Sequence, residues 1–378
     1  MKYGSKFFSY VSFTCTVCLI YCGLIGIVWA QDRPEVSLQG DVASITMDLA
    51  GGSISSFRFS DGGMNPFTWN SPEPGTVDPQ PMGHFICFDR WGQPSSGERA
   101  SGMPFHGEAS RILWRQVGNT SVRGGIHEAV VECDLPMGGL TMTRTMRLHE
   151  GSSVVTVSER VKNVRPLGRM YNLVQHPSIA PPFLDESVRV DCNAWKGFMQ
   201  ESPMPVPEEP PLYWPGSPYR GQIADLRYLT GDPRPTVVSF IFREGVQYGW
   251  VTAYNPGEGL LVGYIWETDD YPWLNLWRNT QDGKPSARGL EFGTTGLHQP
   301  FPVLAEKGNI FNTPLFAYID AGEEQVRSYD MFLAHVPEDL QGVGDVRYTD
   351  TGLVITEDGG DKREITPVSY THLRAHET

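Results

Sequence analysis

The sequence predicts an all-β protein, a large antiparallel β-sandwich, on the strength of three observations. Apolar and polar residues alternate with a period of two along most of the chain, as they do in half-buried strands. The 378 residues include 41 glycines and 30 prolines, a density that interrupts long helices. Turn residues separate many short apolar runs, a pattern typical of sandwiches.

The first predicted strands form a hairpin. Apolar residues alternate over residues 45–49, Gly51 and Gly52 provide a tight turn, and alternation resumes over residues 54–59. Two alternating runs on either side of a Gly-Gly pair are a strong hairpin signal.

A second hairpin is predicted in the middle of the chain. Residues 140–148 alternate over nine positions, with Arg144 as the one polar residue on the apolar face. Gly151 and Ser152 then turn the chain into residues 154–164. Five further strands are predicted in runs bounded by Gly, Pro, Asn or Asp, at residues 237–242, 248–254, 260–266, 314–319 and 328–334.

Residues 1–30 have the layout of a secretory signal peptide. Lys2 and Lys6 precede an apolar run, and Ala30 stands immediately before the polar Gln31. We expect cleavage after Ala30 and a secreted or periplasmic protein without stable membrane insertion. The alternative is a retained membrane anchor, since the apolar run is long enough to span a bilayer.

Residues 368–378 read VSYTHLRAHET, which matches one translated frame of the transposase mosaic-end adapter used in sequencing libraries. We interpret this segment as adapter read-through, so His372 and His376 are expected to carry no function and the natural carboxyl terminus is expected to be missing. No repeat or long polar linker divides the remainder. Residues 31–367 are therefore predicted to form one sandwich domain.

Composition excludes several classes of function. The net charge is −14, which disfavours binding to nucleic acid phosphates or to anionic membrane surfaces. Signatures of serine hydrolases, P-loop proteins, zincins and dinucleotide-binding folds are absent. None of the cysteines after the predicted signal peptide, Cys87, Cys133 and Cys192, lies in a CxxC pair that would suggest zinc or redox chemistry.

Three short segments place an ionisable group among apolar or small residues. They are residues 104–108 around His106, residues 172–177 around His176, and residues 288–294 around Glu291. Taken singly, such residues are more often structural, so the argument depends on the ordered set.

Together with an early turn at residues 50–54, these segments resemble the galactose mutarotase-like superfamily, the aldose 1-epimerases and their relatives. The matching pieces are His106-Gly107, an Asn-x-x-x-His pattern at residues 172–176, and Leu290-Glu291. The resemblance spans roughly residues 44–294. It implies a large β-sandwich, the supersandwich of that superfamily, and activity on a sugar.

The resemblance also implies roles for individual residues. Glu291 is then the base, His176 the acid, and His106 a ligand of a sugar hydroxyl. An arginine that binds substrate upstream of the His-Gly segment corresponds to Arg90.

These residue types suit the interconversion of sugar anomers on chemical grounds as well. The reaction takes a proton from the C1 hydroxyl and gives one to the ring oxygen, so one base and one acid suffice. With reference pKa values of about 4.3 for glutamate and 6.5 for histidine, we expect an ionised Glu291 and a partly protonated His176 at neutral pH. No metal, nucleotide or redox cofactor is required.

Aromatic residues supply the apolar half of a sugar site. Trp273, Asn275 and Trp277 are expected on one side of a strand, fourteen residues or more before Glu291. The alternative is that both tryptophans belong to the sandwich core. The remaining histidines of the domain are interpreted as ordinary surface or core residues: His84, His127, His149, His298 and His335.

The sequence thus predicts an exported carbohydrate-active protein, most concretely an aldose 1-epimerase-like mutarotase. The alternatives are a non-catalytic carbohydrate-binding protein, or a polysaccharide lyase or hydrolase, on the same fold. A mutarotase requires His176 and Glu291 to face one small pocket. A polymer binder would instead present an open cleft lined with Trp and Tyr.

Overall fold

The computed structural model describes Met1 and residues 33–229, 232, 234–350, 352–359 and 362–367. Apart from Met1, the predicted signal peptide lies outside the described residues, as does the predicted adapter-derived segment 368–378. Within the described ranges, no helix has both the length and the apolar character needed to cross a membrane.

The described residues form twenty-seven strands, many of them short. The strands of the first half are β1 (Glu35–Gln39), β2 (Ala43–Asp48), β3 (Ser53–Phe59), β4 (His84–Asp89), β5 (Arg115–Gln116), β6 (Ser121–Arg123), β7 (Ile126–Leu135), β8 (Leu140–His149), β9 (Val154–Asn163), β10 (Arg169–Ile179), β11 (Arg189–Cys192), β12 (Lys196–Met199) and β13 (Leu212–Tyr213).

The second half continues in the same way. Its strands are β14 (Gly216–Tyr219), β15 (Gln222–Asp225), β16 (Thr236–Ile241), β17 (Tyr248–Asn255), β18 (Leu260–Glu267), β19 (Trp273–Gln281), β20 (Lys284–Gly293), β21 (Asn309–Ile310), β22 (Thr313–Pro314), β23 (Ala317–Ile319), β24 (Glu324–His335), β25 (Val343–Thr349), β26 (Gly352–Glu357) and β27 (Glu364–Ile365). Two short helices are described, α1 (Ser96–Ala100) and α2 (Phe301–Lys307), with a 3₁₀ turn at Ala109–Arg111.

Two large antiparallel sheets contain twenty of the described strands, and three small sheets, β14-β15, β21-β22 and β25-β26-β27, contain the other seven. The first has eleven strands in the order β1-β2-β3-β4-β10-β20-β19-β16-β12-β13, with β23 also paired to β10. The second has nine strands in the order β11-β17-β18-β24-β9-β8-β7-β5, with β6 also paired to β7. The prediction of a large antiparallel β-sandwich is confirmed.

The strongest sequence patterns produce the expected hairpins. Strands β2 and β3 pair across Gly51 and Gly52, whose φ angles of 117° and 67° favour glycine. Strands β8 and β9 pair over nine residues. The strand predicted at residues 314–319 is instead broken into β22 and β23, because Leu315 turns inward to pack beneath α2 in an apolar cluster with Leu304 and Ile310.

A charged network lies inside the sandwich. Arg144, on the apolar face of β8, is fully buried and its Nε and Nη2 atoms contact Glu159 Oε1 at 2.8 and 2.7 Å. Its Nη1 donates to the carbonyl of Gly52 at 2.9 Å. Glu159 Oε2 accepts from Gln175 Nε2 at 2.6 Å and from the hydroxyl of Tyr271 at 3.2 Å. Arg144, the one polar residue on the apolar face of β8, is therefore paired with the buried Glu159 on the adjacent strand β9.

Candidate functional site

The three predicted segments meet at the centre of the first sheet. Strand β10 pairs with β4 on one side and with β20 on the other, and β19 lies beyond β20. Successive side chains of a strand point to opposite faces. Gln175 reaches the interior network, so His176 projects from the outer face of the same sheet.

A cavity of about 410 Å³ opens on this outer face. This volume lies within the range of roughly 300–1,000 Å³ that is usual for small-molecule sites. Its aromatic lining residues are Trp69, Phe85, Trp91, Phe105 and Trp277. Its ionisable lining residues are His106, Arg111, His176, Glu291 and His298.

Glu291 and His176 are in direct contact at this cavity. His176 Nε2 lies 3.1 Å from Glu291 Oε1, and the two side chains are only 6% and 1% exposed. Trp91 Nε1 donates to Glu291 Oε2 at 2.8 Å, and Ser178 Oγ lies 2.9 Å from His176 Nδ1. Gly289 keeps the space open, because a Cβ there would lie 2.8 Å from Glu291 Oε1.

Burial changes the protonation of this pair from the sequence-based expectation. It raises the pKa of Glu291 well above its ordinary value, against the opposing hydrogen bond from Trp91. Burial lowers the pKa of His176 to about 3. Against the expectation of an ionised Glu291 and a partly protonated His176, burial favours the neutral form of both groups, in which the carboxyl can donate its proton to Nε2.

The hydrogen bonds around His176 are compatible with this arrangement. Ser178 Oγ is also placed to donate a hydrogen bond to the carbonyl of His176 at 3.3 Å. Its oxygen can then accept a hydrogen bond from Nδ1–H of His176. With Nδ1 protonated, a neutral imidazole presents a lone pair at Nε2. Glu291 Oε1 and His176 Nε2 thus share a single proton in this contact.

His106 is held in an unusual backbone conformation beside the pair. Its φ is 66°, and its ring centroid lies 5.6 Å from that of His176. Gly92 donates its N–H to His106 Nδ1 at 3.0 Å, so a neutral ring carries its proton on Nε2 and can donate there. Gly107 follows with φ 82° and forms a bridge to Phe88, where a Cβ would strike the Phe88 carbonyl oxygen.

The structure argues against Arg90 as the predicted sugar ligand. Its guanidinium contacts Asp89 Oδ2 and Glu98 Oε1, each at 2.6 Å, and lies 5.2 Å from the ring centroid of Phe301. Arg90 does not line the cavity, because these two carboxylates hold it elsewhere. Arg111 lines the cavity instead.

Of the three residues predicted on the aromatic strand, one lines the cavity. Trp277 does so, and its ring lies 5.8 Å from that of His176 in an edge arrangement. Trp273 is fully buried and donates Nε1 to Pro314 O at 2.7 Å. Asn275 is also buried and donates Nδ2 to Thr295 O at 3.1 Å. The segment around α2 packs against Trp273 and covers it, and Asn275 is held by the carbonyl of Thr295, so neither residue lines the cavity.

Sequence reasoning did not assign most of the other lining residues to the site, among them His298, Trp91 and Arg111. His298, interpreted as an ordinary residue, has its ring 4.6 Å from that of Trp91 and 5.5 Å from that of His106, and burial lowers its pKa to about 4. Trp91 directly follows Arg90, and Arg111 follows the His-Gly segment by only a few residues, so both were within reach of a sequence argument. His298 lies in a loop without periodic signal.

The cavity lining combines apolar and polar groups. Five aromatic rings supply apolar faces, and the imidazoles supply polar groups between them. Within the described ranges, no group of three or more His, Cys, Asp or Glu residues is arranged to hold a metal ion. The carboxyl of Glu291 and the imidazole of His176 are in contact, so they can transfer a proton between them.

Comparison with known proteins supports the fold. No family model matches the chain, and no curated protein matches its sequence. A candidate aldose 1-epimerase from Klebsiella pneumoniae has a TM-score of 0.59 at 16% identity, covering 80% of each chain. A galactose mutarotase-like protein from Clostridium acetobutylicum has a TM-score of 0.58 at 12% identity, covering 82% of this chain and 97% of that one. A galactose mutarotase-like protein from Lactobacillus casei has a TM-score of 0.55 at 13% identity, covering 79% of this chain and 100% of that one. The chain has the galactose mutarotase-like fold.

Proposed function

We propose that the protein is an exported carbohydrate-active enzyme, an aldose 1-epimerase-like mutarotase that interconverts sugar anomers. The observation that carries this proposal is the 3.1 Å contact between Glu291 and His176 at the floor of one small cavity. Export rests on the signal-peptide layout of residues 1–30. The fold shared with mutarotase-like proteins adds support.

The geometry suits the two proton transfers of the reaction. The two reacting oxygens of a cyclic sugar, O1 and the ring oxygen, are both bonded to C1, so adjacent acid and base groups can reach both. Transfer of the shared proton from Glu291 Oε1 to His176 Nε2 yields a carboxylate and an imidazolium. These are the base and the acid that ring opening uses.

In the proposed step, the Glu291 carboxylate takes the proton from the O1 hydroxyl while His176 gives its proton to the ring oxygen. The C1–O5 bond breaks and the electron pair of the former O1–H bond forms the aldehyde. Rotation about C1–C2 exposes the other face of the carbonyl. Ring closure reverses both proton transfers and returns Glu291 and His176 to their starting forms.

The other lining residues orient the sugar. Trp277 lies edge-on to His176 at 5.8 Å between centroids and supplies an apolar surface for the sugar, while Phe85 stacks on that imidazole at 4.1 Å and fixes its position. His106 can donate Nε2–H to a sugar hydroxyl, since its Nδ1 is occupied by Gly92. The enclosed acid–base pair favours this enzyme over a polysaccharide binder, for which an open aromatic cleft is expected.

The test is polarimetric equilibration of freshly dissolved α-glucose and α-galactose with wild type and with Glu291→Gln. Removing a positioned base typically costs about 10²–10⁴ in rate, so we expect Glu291→Gln to lose nearly all turnover while sugar binding stays measurable. Glu267→Gln is the matched control, because Glu267 is exposed and does not line the cavity. If wild type accelerates neither of these sugars nor a uronic acid, the carbohydrate-binding alternative replaces the enzyme. Equal acceleration by both proteins would show that Glu291 is not the base.

A further inference from the structure

Arg111 stands apart from the other residues of the cavity. It ends the 3₁₀ turn that follows the His106-Gly107 segment, and its side chain is exposed while lining the cavity. Over the part of the chain that the structure describes, its guanidinium has no hydrogen-bond or ion-pair partner. Arg90 offers the contrast, since Asp89 and Glu98 both bind it.

The remaining ionisable groups of the cavity do not offset this charge. Burial raises the pKa of Glu291 and lowers the pKa values of His106, His176 and His298, so it disfavours the charged form of all four groups. Among the described residues, Arg111 is the one arginine or lysine side chain on the cavity lining. The cavity is positive inside a chain whose net charge is −14.

The positive charge of Arg111 in a negatively charged protein affects which ligands the cavity favours. A protein with a large negative net charge repels anions over most of its surface. An unpaired arginine at the edge of a pocket reverses that effect locally, and a guanidinium binds a carboxylate through two parallel hydrogen bonds. A neutral sugar would leave this cation without a matching group.

We propose that the cavity takes a sugar bearing one carboxylate, a hexuronic acid, whose carboxylate binds Arg111. The assignment of the anomeric carbon to Glu291 and His176 rests on the proposed function. In a hexuronic acid the carboxylate is attached to C5, across the ring oxygen from C1, so one ring can meet the acid–base pair and Arg111 together. A single guanidinium matches a single carboxylate, whereas a phosphate dianion would need further positive charge.

The experiment compares α-galacturonic acid, α-galactose and glucose 6-phosphate as substrates, with anomer exchange followed by NMR. Binding of methyl α-galacturonoside, which cannot open its ring, is measured separately by calorimetry. We expect kcat/KM for galacturonate to exceed that for galactose about tenfold or more, and Arg111→Gln to reduce this ratio by a similar factor. Arg111→Lys keeps the charge without the paired donors, so an intermediate ratio is expected.

Arg123→Gln is the control, because Arg123 is an exposed arginine on β6 that does not line the cavity. It should leave both kcat/KM values unchanged. Binding of the methyl uronoside should weaken in Arg111→Gln, and should also weaken in wild type as salt is raised.

The outcomes separate this inference from the proposed function. Suppose that galactose turns over, but that the ratio of kcat/KM for galacturonate to kcat/KM for galactose is the same in wild type and Arg111→Gln. The inference is then overturned and the mutarotase proposal stands. If no sugar turns over but methyl galacturonoside binds in an Arg111-dependent way, the ligand assignment stands and the mutarotase proposal fails. A preference for glucose 6-phosphate over galacturonate would overturn the carboxylate assignment.

Discussion

Two buried carboxyl groups lie on either side of the first sheet, and they differ in their partners. Glu159 comes from β9 of the second sheet and contacts Gln175 on the inner face, whereas Glu291 of β20 lies on the outer face. Glu159, in the interior, accepts hydrogen bonds from Arg144, Gln175 and Tyr271. Glu291, on the outer face, has one fixed donor and one titratable neighbour. The interior group is matched to a permanent cation, and the outer group is not.

The neighbours of Glu291 explain its different behaviour. Trp91 supplies one N–H, and His176 supplies an imidazole that can give or take a proton. A guanidinium keeps its proton at any ordinary pH, so it fixes the charge of its partner. The comparison teaches that similar burial yields a structural ion pair or a proton-transfer pair according to the partner alone.

The largest expected effect comes from breaking the interior pair. Arg144→Met leaves the Glu159 carboxylate buried without its cation, which typically costs about 3–5 kcal/mol of stability. Arg147→Met on the same strand is the control, because Arg147 forms an exposed pair with Glu128 at 2.7 Å. Exposed pairs contribute about 0–1 kcal/mol. Urea unfolding measures both, and equal losses would mean that the interior pairing contributes no special stability.

The second effect is a pH dependence of stability that belongs to the outer pair. Since the folded pKa of Glu291 is raised, the folded state holds a proton that the unfolded state releases above its ordinary pKa. The contribution of Glu291 to stability therefore falls as pH rises above the ordinary glutamate pKa of about 4.3, with a slope of at most about 1.4 kcal/mol per pH unit.

Glu291→Gln lacks this group, so its stability relative to wild type should increase as pH rises. Thermal unfolding of both proteins between pH 5 and 8 measures the difference. Glu159→Gln serves as the comparison on the interior face. If the difference in stability between wild type and Glu291→Gln is constant with pH, Glu291 is ionised in the folded protein.

The smallest expected effect concerns the hydrogen bond from Trp91. Its N–H stabilises the charged form of Glu291, so Trp91→Phe should raise the pKa of that carboxyl further and lower turnover about tenfold. The diagnostic readout is the pH profile of kcat/KM, whose basic limb should move to higher pH. A lower rate with an unmoved basic limb would assign Trp91 a packing role only.

The fold was largely predictable because its strongest signals are local. The alternating runs at residues 45–59 and 140–164 carry their own turn residues, and they fold into the expected hairpins. The break at Leu315 was not predictable, because it depends on packing beneath α2, a contact that periodicity does not encode.

The candidate site was predictable in part for a similar reason. His106, His176 and Glu291 stand in short ordered segments, and all three line one cavity. Arg90 and Arg111 are both near the His-Gly segment, and only the three-dimensional positions of the carboxylates show which one is already paired. The protonation of Glu291 depends on burial by residues distant in sequence, which no local pattern reveals.

The neighbouring positions Gln175 and His176 on β10 have a consequence for how the gene can vary. Because they serve opposite faces, a single codon inserted between Leu173 and Gln175 would exchange them, moving the imidazole into the interior and the amide into the cavity. Both networks would fail together from one event. Descendants of this chain can therefore change length in the loops on either side of β10, while the spacing inside the strand stays fixed.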